Sequence, residues 1–298
     1  MHTSTDPRRA RALSCLSALS VGDAFGSQFF VPGNRACLEG RVLPPGPWRW
    51  TDDTEMAASV HAEVVRGGVV EPDRLVASFA RQHDADRGYG PATGRLLGLV
   101  REGGDWRELA SGLFEGAGSF GNGAAMRVAP LGAWFAHDPA AAAEQAAVSA
   151  RVTHTHPEAV EGAVAVAVAA ALVAGGGPAD PGPLLDGVIA HLPAGRMREA
   201  VRGARSLLVT GRPEGAARVL GNGSGASALD TVPFTLWAAA RYRHGFASAM
   251  WATAAAGGDV DTTCAIVAGI LGAGLPGGGV PVQWAERTEP LPGWALEG

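Results

Sequence analysis

The sequence predicts an all-α fold: a compact, single-domain bundle of many short helices spanning residues 1–298. Three observations predict it. Runs of β-branched and aromatic residues bounded by turns are scarce, so strand signals are weak. Apolar residues recur at helical spacing instead, as with Leu13, Leu16 and Leu19. Proline and glycine punctuate nearly every junction, as in Pro44-Pro45-Gly46-Pro47 and Gly175-Gly176-Gly177-Pro178.

Taken in order, the first helix is expected over 9–22. Arg8, Arg9 and Arg11 ahead of an apolar stretch imitate a secretion signal, but serines interrupt that stretch and the three leucines fit one helix face. A helix over 52–66 follows Thr51 and Asp52-Asp53, residue types suited to a cap and an acidic first turn. Further helices are expected over 72–83, 91–102, 105–114, 124–136 and 139–151, each set off by glycine or proline. Within a helix expected over 157–174, the uncharged stretch Gly162 to Ala174 alternates alanine and valine like a strand, yet its length and alanine content favour a buried helix. It is too short to span a bilayer, which takes roughly 20 residues. Helices over 182–191, 196–209, 213–220, 231–243, 246–256 and 261–272 complete the set, and the proline- and glycine-rich tail after Pro276 is expected to be irregular.

Composition narrows the function. All 24 basic residues are arginine. Without lysine there is no Schiff-base chemistry, and no phosphate loop that needs the GxxxxGK[ST] lysine. At 47% hydrophobic and 18% charged, the chain is globular rather than disordered. A net charge of −5 disfavours nucleic acid as a partner. Cys15, Cys37 and Cys264 make no CxxC pair, which suits a reducing, cytoplasmic setting. No membrane association is expected, and a monomer is.

Four segments carry chemistry. Thr51-Asp52-Asp53-Thr54-Glu55 and Gly258-Asp259-Val260-Asp261-Thr262 each open an apolar helical run. Either alone is accounted for by helix capping. Together they offer several carboxylates flanked by threonine hydroxyls, hard oxygen donors suited to Mg²⁺ or Mn²⁺ rather than to zinc. Converging carboxylates repel, and two divalent cations would balance them. The third segment, Gly116 to Arg127, is a glycine-rich loop that could bring backbone amides and a helix N-terminus to an anion, with Phe120 available to stack on a base or sugar. An ordinary connection fits the same glycines, and an intramolecular partner suits Arg127 better than phosphate does. In the fourth, Thr153-His154-Thr155-His156, one histidine could touch a ligand while the other caps the helix at Pro157. Ser119 lacks the G-x-S-x-G setting of a nucleophile elbow.

At these segments the sequence resembles the ADP-ribosylglycohydrolase family. The matching strings are Gly22-Asp23-Ala24-Phe25-Gly26, Thr51-Asp52-Asp53-Thr54, Gly121-Asn122-Gly123-Ala124-Ala125-Met126-Arg127, Thr153-His154 and Gly258-Asp259-Val260-Asp261-Thr262, in the family's order over about 14–274. The resemblance implies a helical bundle, a centre of two Mg²⁺ (or Mn²⁺) ions, and hydrolysis of the bond between ADP-ribose C1″ and an acceptor. It makes ADP-ribose or an ADP-ribosylated protein the substrate. It casts Thr51, Asp52, Asp53, Asp259, Asp261 and Thr262 as metal ligands. Gly118, Ser119, Phe120, Gly121 and Asn122 would line the diphosphate and ribose, His154 would contact distal ADP-ribose, and Asp23 would stand behind the ligands or be structural. Asp52, Asp53, Asp261 and Glu55 are the candidate catalytic carboxylates. Two departures stand out: Val260 replaces a threonine, and Phe30 stands near a glutamate that many members carry. The stretch Arg87-Gly88-Tyr89-Gly90, with Tyr89 as a candidate substrate contact, resembles members that act on O-linked (serine-type) ADP-ribose.

Overall fold

The computed structural model describes residues 6–178, 180–209, 211–274 and 279–296. In chain order the helices are α1 (Pro7–Ser27), α2 (Arg35–Gly40), α3 (Asp52–Gly67), α4 (Pro72–Gln82), α5 (Pro91–Arg101), α6 (Trp106–Ser111), α7 (Gly123–Met126), α8 (Ala129–Trp134), α9 (Pro139–Arg151), α10 (Pro157–Ala174), α11 (Pro181–Ala190), α12 (Arg196–Leu207), α13 (Pro213–Leu220), α14 (Ala228–Arg241), α15 (Phe246–Ala255), α16 (Val260–Gly272) and α17 (Val282–Ala285). Among the described residues, β pairing is limited to two isolated bridges, Trp48 with Thr288 and Gly121 with Ser227. The all-α expectation holds.

Local sequence sets most of the starts. Proline occupies the first helical position of α1, α4, α9 and α10, where its missing N–H costs nothing. Asp6, Asp138 and Ser227 accept hydrogen bonds from Arg8, Ala141 and Asp230 amides, capping α1, α9 and α14.

Four boundaries depart from the sequence reading. Helix α1 continues through Gly22 and Gly26 to Ser27 because those glycines are packing residues rather than breakers. A Cβ on Gly22 would stand 2.5 Å from Cys264 O, and one on Gly26 would stand 2.5 Å from Val260 O, so α1 and α16 meet backbone to backbone. The expected 124–136 helix is two, α7 and α8, and α6 stops at Ser111 before Gly112. Helix α14 begins at Ala228, with Pro233 inside it. Helices α2 and α17 are additional.

The core is alanine- and valine-rich. Helix α10 is long and apolar enough to cross a membrane by composition, but the bundle buries most of it, against α7, α8, α9 and α14. The C-terminal segment has little regular structure yet is tightly held. Trp48 N donates to Arg287 O at 2.6 Å, and Glu289 N donates to Trp48 O at 2.8 Å. Trp50 Nε1 reaches Pro290 O at 3.2 Å, and Trp284 packs on Phe25 with ring centroids 4.4 Å apart. This strap secures the loop that leads into α3.

Candidate active site: carboxylates at two helix N-termini

Because α1 and α16 lie in close contact and α3 crosses α1, the N-termini of α3 and α16 open at one place beside Asp23. Carboxylate oxygens of Asp23, Asp53 and Asp261 lie within 4.8 Å of one another. The two acidic segments, 206 residues apart as counted from Asp53 to Asp259, are therefore brought together.

Asp23 accepts four hydrogen bonds: Thr51 N (2.9 Å), Thr51 Oγ1 (2.8 Å), Thr54 N (3.1 Å) and Thr54 Oγ1 (2.5 Å). It satisfies orphan amides of the first turn of α3 and fixes where that helix begins. Asp53 Oδ2 lies 3.2 Å from Thr51 Oγ1 and 3.3 Å from Thr262 Oγ1, so hydroxyls from both clusters converge on it. Its Oδ1 is buried with no hydrogen-bond partner among the described residues. Asp259 Oδ2 accepts from Asn122 Nδ2 at 2.7 Å, tying the glycine-rich loop to α16.

Burial dominates the electrostatics. It pushes Asp23 up to about 6 against four hydrogen bonds that pull the other way, and pushes Asp52 up to about 7 with repulsion from Asp23 adding to it. Asp53 and Asp261 are held well above the carboxylate range, first by burial and then by neighbouring carboxylates. Carboxylates gathered this closely, one with an orphaned buried oxygen, form a donor set that a cation would stabilise. Hard oxygens from aspartate and threonine fit divalent Mg²⁺ or Mn²⁺.

These groups open into a cavity of about 330 Å³. Asp52, Asp53, Asp259, Asp261 and Thr262 line it, as do Ser119, Gly121, Asn122 and His154. Other expected residues stand elsewhere. Thr51 caps α3 from behind Asp53. Gly118 lines no part of the cavity; its φ of 77° and the 2.8 Å that would separate a Cβ from His156 N show that glycine there serves the approach to the 153–156 turn. Glu55 and Tyr89 are also outside the lining. Glu55 Oε2 accepts from Tyr89 Oη at 2.7 Å and from Asp84 N at 3.1 Å, so this pair anchors the 84–90 loop.

The loop supplies fewer amides than its glycines suggest. Gly121 N donates to Ser119 Oγ and Asn122 N to Ala226 O. The helix that follows is α7, only four residues long. Phe120, 40% exposed, pairs with Phe114 at 5.2 Å between centroids. Phe114 also lines the cavity and was not singled out in the sequence, because nothing in Leu113-Phe114-Glu115 marks a ligand-facing turn. The chain presents it there through left-handed backbone at Phe114 (φ 51°) and Glu115 (φ 60°). A strained turn of non-glycine residues at a cavity mouth is a feature of functional segments. His156 caps α10 by accepting from Glu158 N, whereas His154 turns to the cavity. Arg127 is fully buried, with partners inside the protein. Phe30 is 54% exposed and outside the cavity lining. The 84–90 loop is fixed from the other side by Arg87, which donates to Trp50 O at 3.0 Å, pairs with Glu289 at 2.8 Å and covers the Trp50 ring at 3.5 Å.

Comparison with known proteins gives the family. The chain is 27% identical to the ADP-ribosyl-[dinitrogen reductase] glycohydrolase of Rhodospirillum rubrum over 94% of this chain and 90% of that protein. It is 28% identical to the ADP-ribosylarginine hydrolase Tri1 of Pseudomonas putida over 93% of this chain and 74% of that protein. A solved ADP-ribosylglycohydrolase-related protein complex superposes with a TM-score of 0.64 at 27% identity, covering 95% of this chain and 93% of that one. The family model described as ADP-ribosylglycohydrolase matches residues 4–297, and the chain belongs to that family.

Proposed function

We propose that this protein is a divalent-cation-dependent ADP-ribosylhydrolase that cleaves the bond between ADP-ribose C1″ and an acceptor. The observation that carries the reading is the convergence of Asp23, Asp53 and Asp261 with a buried, unpartnered Asp53 Oδ1. Asp52, Asp53, Asp259, Asp261 and Thr262, with Thr51 behind them, would hold two Mg²⁺ (or Mn²⁺) ions. Such ions supply a water of lowered pKa and polarise the oxygens they touch.

The chain's own residues do the rest. Phe114, which lines the cavity, gives a base or sugar an aromatic face, and Phe120 packs against its ring from outside the lining. Ser119, Gly121 and Asn122 line the path from there to the carboxylates. Asp52 faces the cavity from α3 and is placed to receive the proton of an attacking water. Glu55 supports the 84–90 loop through Asp84 N and Tyr89 Oη in this reading, rather than serving as the base. As the oxygen of water bonds to C1″ and the bond from C1″ to the acceptor breaks through an oxocarbenium-like state, the carboxylates would stabilise the charge that develops, and the departing acceptor takes up the proton that Asp52 received.

O-linked adducts are the favoured substrates. Gly88, Gly90, Pro91, Ala92 and Thr93 form the cavity wall beside Asp52 and offer no carboxylate to pair with an arginine guanidinium. Serine- and arginine-ADP-ribosylated peptides incubated with Mg²⁺ test the reading. The serine peptide should release free ADP-ribose, chelation should stop the release, and Asp261→Asn should reduce it by more than the roughly 10–100-fold typical of outer-sphere changes at metal sites. Full activity of Asp261→Asn would sink the metal assignment. Phe30 favours a second reading, in which ADP-ribose is bound without turnover; binding with no release would select it.

A further inference from the structure

Arg127 is fully buried, and among the described residues no carboxylate hydrogen-bonds to it, although Asp52 is near enough to attract its charge. Its Nη2 donates to Ser149 O and to Thr153 Oγ1, both at 2.9 Å. Thr153 Oγ1 in turn lies 2.7 Å from His154 Nδ1. The side chains are buried, Thr153 at 1% and His154 at 3% exposure.

The direction of the protons follows from counting donors. A hydroxyl has one hydrogen to give, and an arginine N–H can only donate. The Thr153 oxygen already accepts from Arg127, and among the described residues its own hydrogen has one acceptor in reach, His154 Nδ1. With a proton on Nδ1, that N–H would take the second lone pair of the hydroxyl and leave the hydroxyl hydrogen unpaired, which is costly in a buried place, about 1–3 kcal/mol. Nδ1 therefore accepts, and the imidazole hydrogen sits on Nε2. The other edge of the ring is packed as closely. A Cβ on Gly121 or Gly123 would lie 3.2 and 3.1 Å from Nε2, so the Gly-Asn-Gly string is what admits the imidazole. Nε2 makes no hydrogen bond to the described residues and belongs to a side chain that lines the cavity.

We propose that Arg127 and Thr153 are positioning residues that lock His154 as a fixed Nε2–H donor aimed into the cavity, where it binds a phosphate or hydroxyl oxygen and takes no part in proton transfer. The buried Arg127 charge and the loss of solvent both keep the ring from becoming imidazolium. The ligand named here rests on the ADP-ribose reading above; the tautomer does not.

Nitrogen-15 correlation spectra of the imidazole rings test the tautomer directly, with the His154 signal assigned by its absence in His154→Asn. The wild type should show Nε2 protonated and Nδ1 bare, unchanged between pH 8 and pH 5.5. Thr153→Val, which keeps the shape and removes the hydroxyl, should lose the fixed tautomer and weaken free ADP-ribose binding about tenfold, the equivalent of one hydrogen bond. Thr153→Ser should restore both. A proton on Nδ1 in the wild type, or Thr153→Val binding ADP-ribose as tightly as wild type, would overturn the proposal. If the wild type binds no ADP-ribose, the functional reading fails instead, and the wild-type spectrum alone decides the tautomer.

Discussion

Gly26→Ala places one methyl group where α1 meets the N-terminus of α16. An ideal Cβ there lies 2.5 Å from Val260 O and 2.6 Å from Asp261 Cα. Comfortable contacts for a carbon are about 3.5 Å or more, so the shortfall is about 1 Å, and it is against backbone that cannot rotate away. Overpacking of this kind costs about 1–3 kcal/mol, from which at most about 1 kcal/mol of helix propensity is recovered on replacing glycine. A net loss of about 1–2 kcal/mol is expected, and since α16 must shift where it carries Asp261, the stabilisation by Mg²⁺ should fall as well. Gly98→Ala is the matched control: it lies inside α5 with nothing within 4 Å of the added carbon, and it should be neutral or stabilising. Urea unfolding of both variants, with and without Mg²⁺, gives the two quantities. A Gly26→Ala protein as stable as Gly98→Ala, or one whose Mg²⁺ stabilisation matches wild type, would refute the claim that this glycine sets the helix contact and the ligand position.

Two further outcomes are expected. His61 accepts no proton readily: burial pushes it down to about 4, its Nδ1 meets Ala295 O at 3.2 Å and its Nε2 is buried without a partner. Between pH 6.5 and 4 the unfolded chain takes up this proton and the folded chain does not, so the native state loses about 3 kcal/mol as pH falls through that window. The buried aspartates act in the opposite sense over overlapping pH. The comparison is therefore with His61→Asn, and a stability difference that stays constant from pH 7 to pH 4 would contradict the assignment. Glu289→Ala should cost about 1–2 kcal/mol by removing the bidentate carboxylate of the largely buried Arg87 and leaving it only Asp84 at 3.5 Å. Amide exchange over 84–90 should quicken more than in α10, and equal protection in that loop would show that the ion pair does not hold it.

The sequence shows the chemistry more readily than the geometry around it. Asp52-Asp53 and Asp259/Asp261 are legible because two acid-threonine clusters, each an ordinary helix start alone, together offer more carboxylates than capping uses, and the bundle is legible because helical spacing recurs along the chain. Phe114 is hidden, since its placement depends on two left-handed residues that no local sequence rule requires. The role of Glu55 is hidden for another reason. Its position in the first turn of α3 matches a metal-site carboxylate, while its partners, Tyr89 and the Asp84 amide, lie about thirty residues away along the chain. Glycine misleads in α1, where local propensity argues for an end at Gly22 and tertiary contact with Cys264 and Ala268 argues for continuation. The tail illustrates the same limit: its irregular backbone is apparent in its prolines, but its anchoring by Trp284, Glu289 and Pro290 depends on residues near Trp48.

The contact between α1 and α16 has a consequence for how the molecule is made. Asp23 and Asp261 are separated by 261 − 23 = 238 residues. At a synthesis rate of about 5–20 residues per second, roughly 10–50 seconds pass between the emergence of one and of the other. Throughout that interval the Gly22/Gly26 face of α1 has no partner, and the first carboxylates remain in water with ordinary acidity. The site is thus among the last parts of the nascent protein to form, and a chain halted before Val260 has an open seam along the Gly22/Gly26 face of its first helix.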